Sequence, residues 1–183
     1  MSVSSPSSSD KLQSRCSAAE FSGQSPEVIV RARERLESYL SVNGVAYVEE
    51  SHRRAYTAQQ VAALEHVPGQ QFAKVVMLIA DGRPIMTVVP ATRAVRFDRV
   101  AEVLSAHEVR LACESEFAPL FPDCEVGAMP PFGNLYCVPV YVDEVLARNQ
   151  DIVIQAGTHR DSIRLRYFDF ARLAQPVVAP LSA

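Results

Sequence analysis

Lysine and tryptophan are the residue types that this chain nearly or wholly avoids. Its 183 residues contain no tryptophan, and of 18 basic residues only Lys11 and Lys74 are lysines, which leaves sixteen arginines. Lys74 lies inside the apolar run of residues 72–79, where taking an ammonium out of water is costly unless it is paired or faces a wet pocket. It either extends its amine to solvent from a strand end or presents a point charge to a phosphate or carboxylate in a cleft.

Long apolar stretches, paired cysteines and a large net charge are also missing. No stretch approaches the roughly 20 apolar residues that span a bilayer, and the N-terminus has no signal-peptide core, so we expect no membrane contact. The four cysteines form no C-x-x-C pair, so we predict neither a zinc site nor a disulfide framework, but reduced thiols in a cytoplasmic protein without a cofactor. A net charge of −3 argues against sequence-independent coating of DNA.

The composition predicts one globular domain behind a serine-rich head. Residues 1–24 hold nine serines and few large apolar side chains, and we expect them to be disordered because they cannot offset the entropy of ordering. Residues 25–183 are long enough to form a single domain with a sizeable core, since 48% of the whole chain is hydrophobic.

Capping and turn signals predict helices and strands along this domain. Ser25-Pro26-Glu27 starts a helix that ends at Asn43-Gly44, and Thr57 opens a second helix through Leu64. Asp81-Gly82 joins strands at 72–80 and 85–89 into a hairpin that carries Lys74. The other predicted elements are strands near 45–48, 109–112, 135–141, 152–155 and 162–166, a helix capped by Asp98, a short helix at 115–120 and a closing helix from Asp169. This order favours an α+β fold with a mixed, largely antiparallel sheet flanked by helices.

Two loops have the composition of binding loops. Residues 127–133 include two glycines and two prolines, which stiffen the loop and let its backbone approach a ligand closely. Gly157-Thr158-His159 lies between two predicted strands and can direct backbone N–H groups and an imidazole at one point. Each segment is also typical of a plain turn, and a lone histidine of a structural role, so neither loop alone identifies a site.

Taken in order, these segments resemble the YbaK and prolyl-tRNA-synthetase-associated domain family of aminoacyl-tRNA editing hydrolases. The resemblance covers about residues 47–174, through the helix at 57–63, the Lys74 strand, the Val88-Val89-Pro90-Ala91 segment, the G-x-x-x-P loop ending at Pro131 and the G-x-H loop ending at His159. It implies a free-standing hydrolase that removes wrong amino acids from the acceptor end of tRNA, with an aminoacyl-tRNA synthetase as a second partner.

The resemblance also implies roles for individual residues. Lys74 is similar to the family lysine that holds the phosphate and ribose of the terminal adenosine, and His159 to the residue that shapes the amino-acid pocket. The expected catalytic residues are Lys74, Gly127, Gly157 and His159, and the expected substrate contacts are Thr57, Pro131, Phe132 and Thr158. A histidine at position 159 is unlike YbaK itself, which favours the branches resembling the synthetase insertion domain and a small amino acid, such as alanine on the tRNA for proline.

The chemistry of such a substrate limits what the protein must supply. An aminoacyl ester is already activated, so hydrolysis needs a positioned water and donors for the oxyanion more than a strong nucleophile. Backbone N–H groups of the glycine loops can be those donors, and the resemblance implies that the substrate's own 2′-hydroxyl helps to activate water.

Other interpretations of the same residues stay open. A Cys137–His159 nucleophile and base is one, although Cys137 in an apolar strand is more typical of a core. A non-catalytic module that binds aminoacyl-tRNA or a synthetase is another. Arg93, Asn134 and Asp161 flank the inferred cleft in sequence, and each is also typical of an ordinary surface.

Overall fold

The computed structural model describes residues 32–51 and 68–183. The serine-rich head, the predicted helix start at Ser25 and the predicted helix at Thr57 lie outside these ranges. The predicted fold class is confirmed, because the described chain is α+β and its helices flank mixed, largely antiparallel sheets.

The helices and strands follow one another as a mixture of short elements. Within the described ranges the helices are α1 (Ala32–Val42), α2 (Phe97–Leu104), α3 (Glu114–Phe117), α4 (Glu144–Ala147) and α5 (Tyr167–Ala174). The strands are β1 (Tyr47–Ser51), β2 (Ala73–Ala80), β3 (Arg83–Pro90), β4 (Val109–Leu111), β5 (Val140–Asp143), β6 (Asp151–Gln155), β7 (Asp161–Arg166) and β8 (Val177–Ala179). Single 3-10 turns lie at Ala118–Leu120 and Gly133–Leu135.

The strands form two sheets that join near Phe72. One is antiparallel, in the order β1-β7-β6. The other has the order β4-β2-β3-β5-β8 and is antiparallel from β4 to β3 and parallel from β3 to β8. A parallel bridge between Phe72 and Val153 connects the start of β2 with the middle of β6. The Lys74 strand therefore begins beside the strand that leads to Gly157.

The β2–β3 hairpin has apolar clusters on both of its faces. Side chains alternate across a strand, so Met77 joins the main core with Leu36, whereas Leu78 joins Ile85 in a second cluster. Lys74 is in register with Val89, and alternation puts it on the Leu78 side. The lysine therefore lies on the side of the sheet that faces away from the main core.

Local turn chemistry predicted the hairpin correctly and two other features wrongly. Asp81 and Gly82 both have positive φ, 46° and 78°, as a tight turn between two twisted strands requires. Asp98 does not cap α2, because the N-cap is Arg96 and its guanidinium binds the Asp98 carboxylate. The strand predicted near 135–141 begins only at Val140, because a 3-10 turn comes first and Cys137 is left-handed at φ 55°.

Hydrogen bonds hold residues 181–183, which follow β8, against the five-stranded sheet. The buried Asp143 carboxylate accepts the N–H groups of Leu181 and Ser182 at 2.9 Å each. Ala183 and Ala94 exchange backbone hydrogen bonds of 3.1 and 3.3 Å. These bonds fix the turn that follows β3 against the end of the described chain.

Candidate active site

The two loops singled out from the sequence are hydrogen-bonded to each other. The Glu125 N–H donates to the Gly157 carbonyl at 2.8 Å, and the Gly157 N–H donates to the Ala128 carbonyl at 2.9 Å. Gly127 and Gly157 have φ values of +87° and +95°, which strongly favour glycine. Residues 125–129 and 157–159 therefore form one rigid junction, which we call the loop junction.

His159 lies inside the loop junction and is 8% exposed. Its backbone N–H donates to a Glu125 carboxylate oxygen at 2.8 Å, and its ring Nε2 is 3.0 Å from the Val126 carbonyl oxygen. Since a carbonyl only accepts, Nε2 carries the proton. A methyl group on Gly127 would lie 3.5 Å from the His159 Cε1 atom, so the glycine and the imidazole are immediate neighbours.

Thr158 is held by a chain of polar contacts that starts on helix α1. The Thr158 hydroxyl donates to Asp161 Oδ2 at 2.5 Å, and Asp161 Oδ1 accepts from Arg33 Nη1 at 2.7 Å. Arg33 also binds Glu37 and Glu49, and these carboxylates, Glu37 foremost, raise the pKa of its guanidinium. The chain connects α1 and β1 with the turn that carries His159.

The loop N–H groups are not all available to a substrate oxygen. Those of Gly157 and His159 are already bonded to protein oxygens, and the expectation that the glycine loops supply the oxyanion donors stays a prediction. The Gly127 N–H meets the Met129 sulfur at 3.2 Å, and a thioether is a weak acceptor. Gly127, which is exposed, is therefore the loop glycine whose N–H a ligand can most easily recruit.

Lys74 is half-buried near the start of β2. Its Nζ donates to the Arg93 carbonyl at 2.6 Å. Arg93 lies in the turn after β3, next to Ala94, which is hydrogen-bonded to Ala183. Burial lowers the pKa of this ammonium below its ordinary value, since desolvation disfavours the charged form. The Phe72–Val153 bridge is parallel, so the chain runs in the same direction on both sides of it. Two residues after the bridge, Lys74 therefore lies beside Gln155, and Gly157 follows two residues later.

Pro131 and Phe132 support the loop from within the protein. Pro131 is buried, and the Phe132 ring, fully buried, packs edge-on against Phe170 and Tyr39 with ring centroids 5.3 and 6.0 Å away. A ring without exposed surface affects a ligand through the position of its loop. Thr57 lies outside the described residues, and its predicted substrate contact stays a prediction.

Of the three polar residues expected beside the cleft, Arg93, Asn134 and Asp161, only Asp161 contacts a loop-junction residue through its side chain. Asn134 Nδ2 donates to the Tyr39 hydroxyl at 3.0 Å, which is a packing contact behind the loop. Arg93 contributes its carbonyl to Lys74 rather than its side chain. Asp161 belongs to the site through Thr158. Sequence reasoning missed Glu125 and Arg33, although Glu125 is only two residues from Gly127.

The cysteines differ from the expectation of a core thiol at Cys137. Cys137 is exposed in a turn, so its predicted place in an apolar strand of the core is wrong, while the Cys137–His159 nucleophile pair stays an open interpretation. Cys113 and Cys124 are free thiols, and burial raises the pKa of Cys124 to about 11.

Metal-binding clusters and membrane-spanning helices are both absent from the part of the chain that the structure describes. Residues 32–51 and 68–183 contain no group of three or more His, Cys, Asp or Glu side chains arranged to hold a metal ion. None of the helices in those ranges has the length and apolar character needed to cross a membrane.

Known proteins match this chain in family and in fold. The family model of the aminoacyl-tRNA editing domain matches residues 52–173, which include Lys74 and the whole loop junction. The chain belongs to this family. A proline–tRNA ligase from Desulfovibrio desulfuricans is 28% identical over 118 residues, which is 64% of this chain and 20% of the ligase. The chain thus spans about a fifth of the length of that relative.

Solved structures repeat the fold at low sequence identity. A protein proposed to be a trans-editing enzyme for prolyl tRNA synthetase superposes with a TM-score of 0.71 at 21% identity, covering 88% of this chain and 99% of its own. A hypothetical protein gives a TM-score of 0.74 at 20% identity, covering 82% of this chain and all of its own. At these identities the likeness concerns the fold alone.

Proposed function

We propose that this protein is an aminoacyl-tRNA deacylase that hydrolyses the ester of a small, wrongly attached amino acid, with alanine on the tRNA for proline as the preferred substrate. The observation that carries the proposal is the loop junction, which places a buried imidazole beside an exposed glycine within the segment matched by the editing-domain family. Similarity to part of a proline–tRNA ligase supports the choice of tRNA. Such an enzyme would act in the cytoplasm, with a synthetase as its second partner.

In the proposed mechanism the protein positions an ester that is already reactive. The Lys74 ammonium neutralises the terminal phosphate and fixes the adenosine, and partial desolvation strengthens that attraction. The Gly127 N–H leaves the Met129 sulfur and donates to the developing oxyanion. The 2′-hydroxyl of the substrate helps to activate the attacking water. Gly157, whose N–H is already used, holds the junction together.

His159 sets the size of the pocket in this proposal. Its ring is fixed at Nε2 by the Val126 carbonyl and its backbone by Glu125, so it cannot swing away from a larger side chain. Steric exclusion by a fixed wall discriminates more strongly than a hydrophobic pocket that must favour the larger ligand, which gains only about 1–3 kcal/mol per methylene. Alanine should therefore enter and bulkier residues should not.

The experiment is a deacylation panel with purified protein and tRNA for proline charged with alanine, proline or a bulky residue. Wild type should release alanine fastest. His159→Ala should extend hydrolysis to larger amino acids, whereas His107→Ala, an exposed histidine at the far end of the hairpin, should leave the panel unchanged. Lys74→Ala and Lys74→Arg should both lose most of the activity, because a planar guanidinium does not replace a compact ammonium.

The panel also separates the enzyme from a binding module. Hydrolysis of no small mischarged ester, or equal attack on correctly charged prolyl-tRNA, would replace the deacylase by a protein that binds aminoacyl-tRNA without turnover.

A further inference from the structure

Helix α1 touches the loop junction at its first turn. A methyl group added to Gly157 would lie 3.5 Å from the backbone nitrogen of Arg33, the second residue of α1. The family model begins only at residue 52, so α1 lies before the matched segment. A contribution of α1 to the site is therefore something that the family match does not assign.

The Arg33 side chain ties α1 to two strands. Its Nε binds Glu37 of α1 at 2.5 Å, its Nη2 binds Glu49 of β1 at 2.5 Å, and its Nη1 binds Asp161 at the start of β7 at 2.7 Å. A single exposed ion pair fixes little, but a planar guanidinium held at three nitrogens cannot turn about any one of them. Arg33 therefore fixes where the Asp161 carboxylate lies.

The Asp161 carboxylate holds the turn that carries His159. One of its oxygens, Oδ1, accepts from Arg33, and the other, Oδ2, accepts from the Thr158 hydroxyl at 2.5 Å. The Thr158 oxygen in turn accepts the backbone N–H groups of Arg160 and Asp161 at 3.2 Å each. Residues 158–161 thus form one closed turn, and the buried His159 is its second residue.

The charge of Arg33 keeps Asp161 in place. Arg33 lies in a groove of about 830 Å³ between α1 and the two loops, and five carboxylates also line this groove, those of Glu34, Glu37, Asp123, Glu125 and Asp161. Without the guanidinium, Glu37, Glu49 and Asp161 would repel one another, because like charges disfavour close approach. The groove leaves Asp161 room to rotate away, so loss of Arg33 should release the Thr158 hydroxyl and let the His159 turn move.

We propose that Arg33 is a positioning residue for amino-acid discrimination, which acts through Asp161 and Thr158 to hold the His159 turn where it admits alanine and excludes larger side chains. The inference rests on the proposed function for the identity of the substrate. The contacts of His159 with residues 125 and 126 hold one side of this turn, and the Arg33 network holds the other side.

Discrimination is measured as the ratio of kcat/KM for alanine to kcat/KM for valine, both attached to the tRNA for proline. This ratio does not depend on the fraction of folded enzyme, so a purely stabilising role of Arg33 would leave it unchanged. A misplacement of about 1 Å can change a rate by about 100-fold, so Arg33→Met should lower the ratio by about 10- to 100-fold.

Two further variants test whether Arg33 acts through this network. Arg148→Met removes an exposed arginine from its ion pair with Glu144 and should keep the wild-type ratio. Thr158→Val removes the hydroxyl that Asp161 holds, and because both residues act through one chain of contacts, the double variant Arg33→Met/Thr158→Val should lower the ratio by less than the product of the two single effects. A full product, an unchanged ratio in Arg33→Met or an equal fall in Arg148→Met overturns the proposal.

A signal from the imidazole itself distinguishes this proposal from the proposed function. The chain has four histidines, and the ring Cε1–H signals of His159 and of the exposed His107 would be followed in a carbon–proton NMR spectrum of the intact protein. Arg33→Met should shift the His159 signal and leave the His107 signal in place. If wild type hydrolyses no ester, the deacylase assignment fails, and a selective shift of His159 still supports the positioning role of Arg33. An unmoved His159 signal overturns that role in either case.

Discussion

Replacing Gly157 by alanine tests whether helix α1 presses on the loop junction. The φ of Gly157 is +95°, and an added Cβ would lie 2.5 Å from the Cβ of Ala32, the first residue of α1. Gly82 is the matched comparison, because its φ is +78° and a Cβ there would meet no atom within 4 Å. Both alanine variants adopt an unfavourable backbone conformation, but only Gly157→Ala also has to displace a helix.

The two variants should differ by the energy of that displacement. An unfavourable backbone conformation costs about 1–3 kcal/mol in either variant. Overpacking adds about 1–3 kcal/mol at Gly157 alone. For a chain of this length each kcal/mol shifts Tm by about 2–4 °C, so Gly157→Ala should melt roughly 2–12 °C below Gly82→Ala.

Thermal unfolding of wild type and both variants, followed by circular dichroism at one scan rate, would check this difference. Equal Tm values for the two alanine variants would refute the reasoning, because they would mean that α1 does not approach Gly157 closely. A lower Tm for Gly82→Ala would refute it more strongly, since nothing surrounds that position.

Three further predictions concern the site itself. The stability of wild type relative to Lys74→Met should rise as the pH approaches 10.5, the ordinary pKa of lysine. Burial lowers the pKa of Lys74 in the folded state, so between the folded and the unfolded pKa the unfolded state binds more protons. A difference in Tm between the two proteins that stays constant from pH 7 to 10.5 would contradict this. Gly127→Ala should melt like Gly82→Ala, because its added methyl group makes only an ordinary contact, 3.5 Å from His159 Cε1. It should nevertheless lose deacylation, because that methyl group would occupy the space beside Gly127 that the substrate is proposed to approach. Full activity would exclude close approach of the substrate to Gly127. Glu125→Gln should lose about 1 kcal/mol of unfolding free energy in urea, the difference between a charged and a neutral acceptor of the His159 N–H, and an unchanged urea midpoint would show that the charge adds nothing to this bond.

The sequence predicted features that depend on neighbouring residues. Asp81-Gly82 identified the hairpin, and with it the strand position of Lys74, because the positive φ values of such a turn are a local requirement. The two glycine loops were recognised for the same reason, since Gly127 and Gly157 both need positive φ.

Contacts between distant parts of the chain could not be predicted in this way. Glu125 accepts from His159, 34 residues away, and Arg33 binds Asp161, 128 residues away. No local pattern marks either pairing, because both depend on which strands become neighbours. The short strand β8 was missed for the same reason, since its parallel pairing with β5 is decided by tertiary packing.

The hydrogen bonds that hold residues 181–183 have a practical consequence for work with this protein. Ala183 is paired with Ala94, next to the Arg93 carbonyl that holds Lys74, and the Asp143 carboxylate anchors the two residues before it. Trimming residues 181–183 would leave that carboxylate buried with two lost donors and would loosen the turn that positions the lysine amine. Removal of these residues should therefore lower turnover without any change near the imidazole, so activity measurements should use protein that retains them.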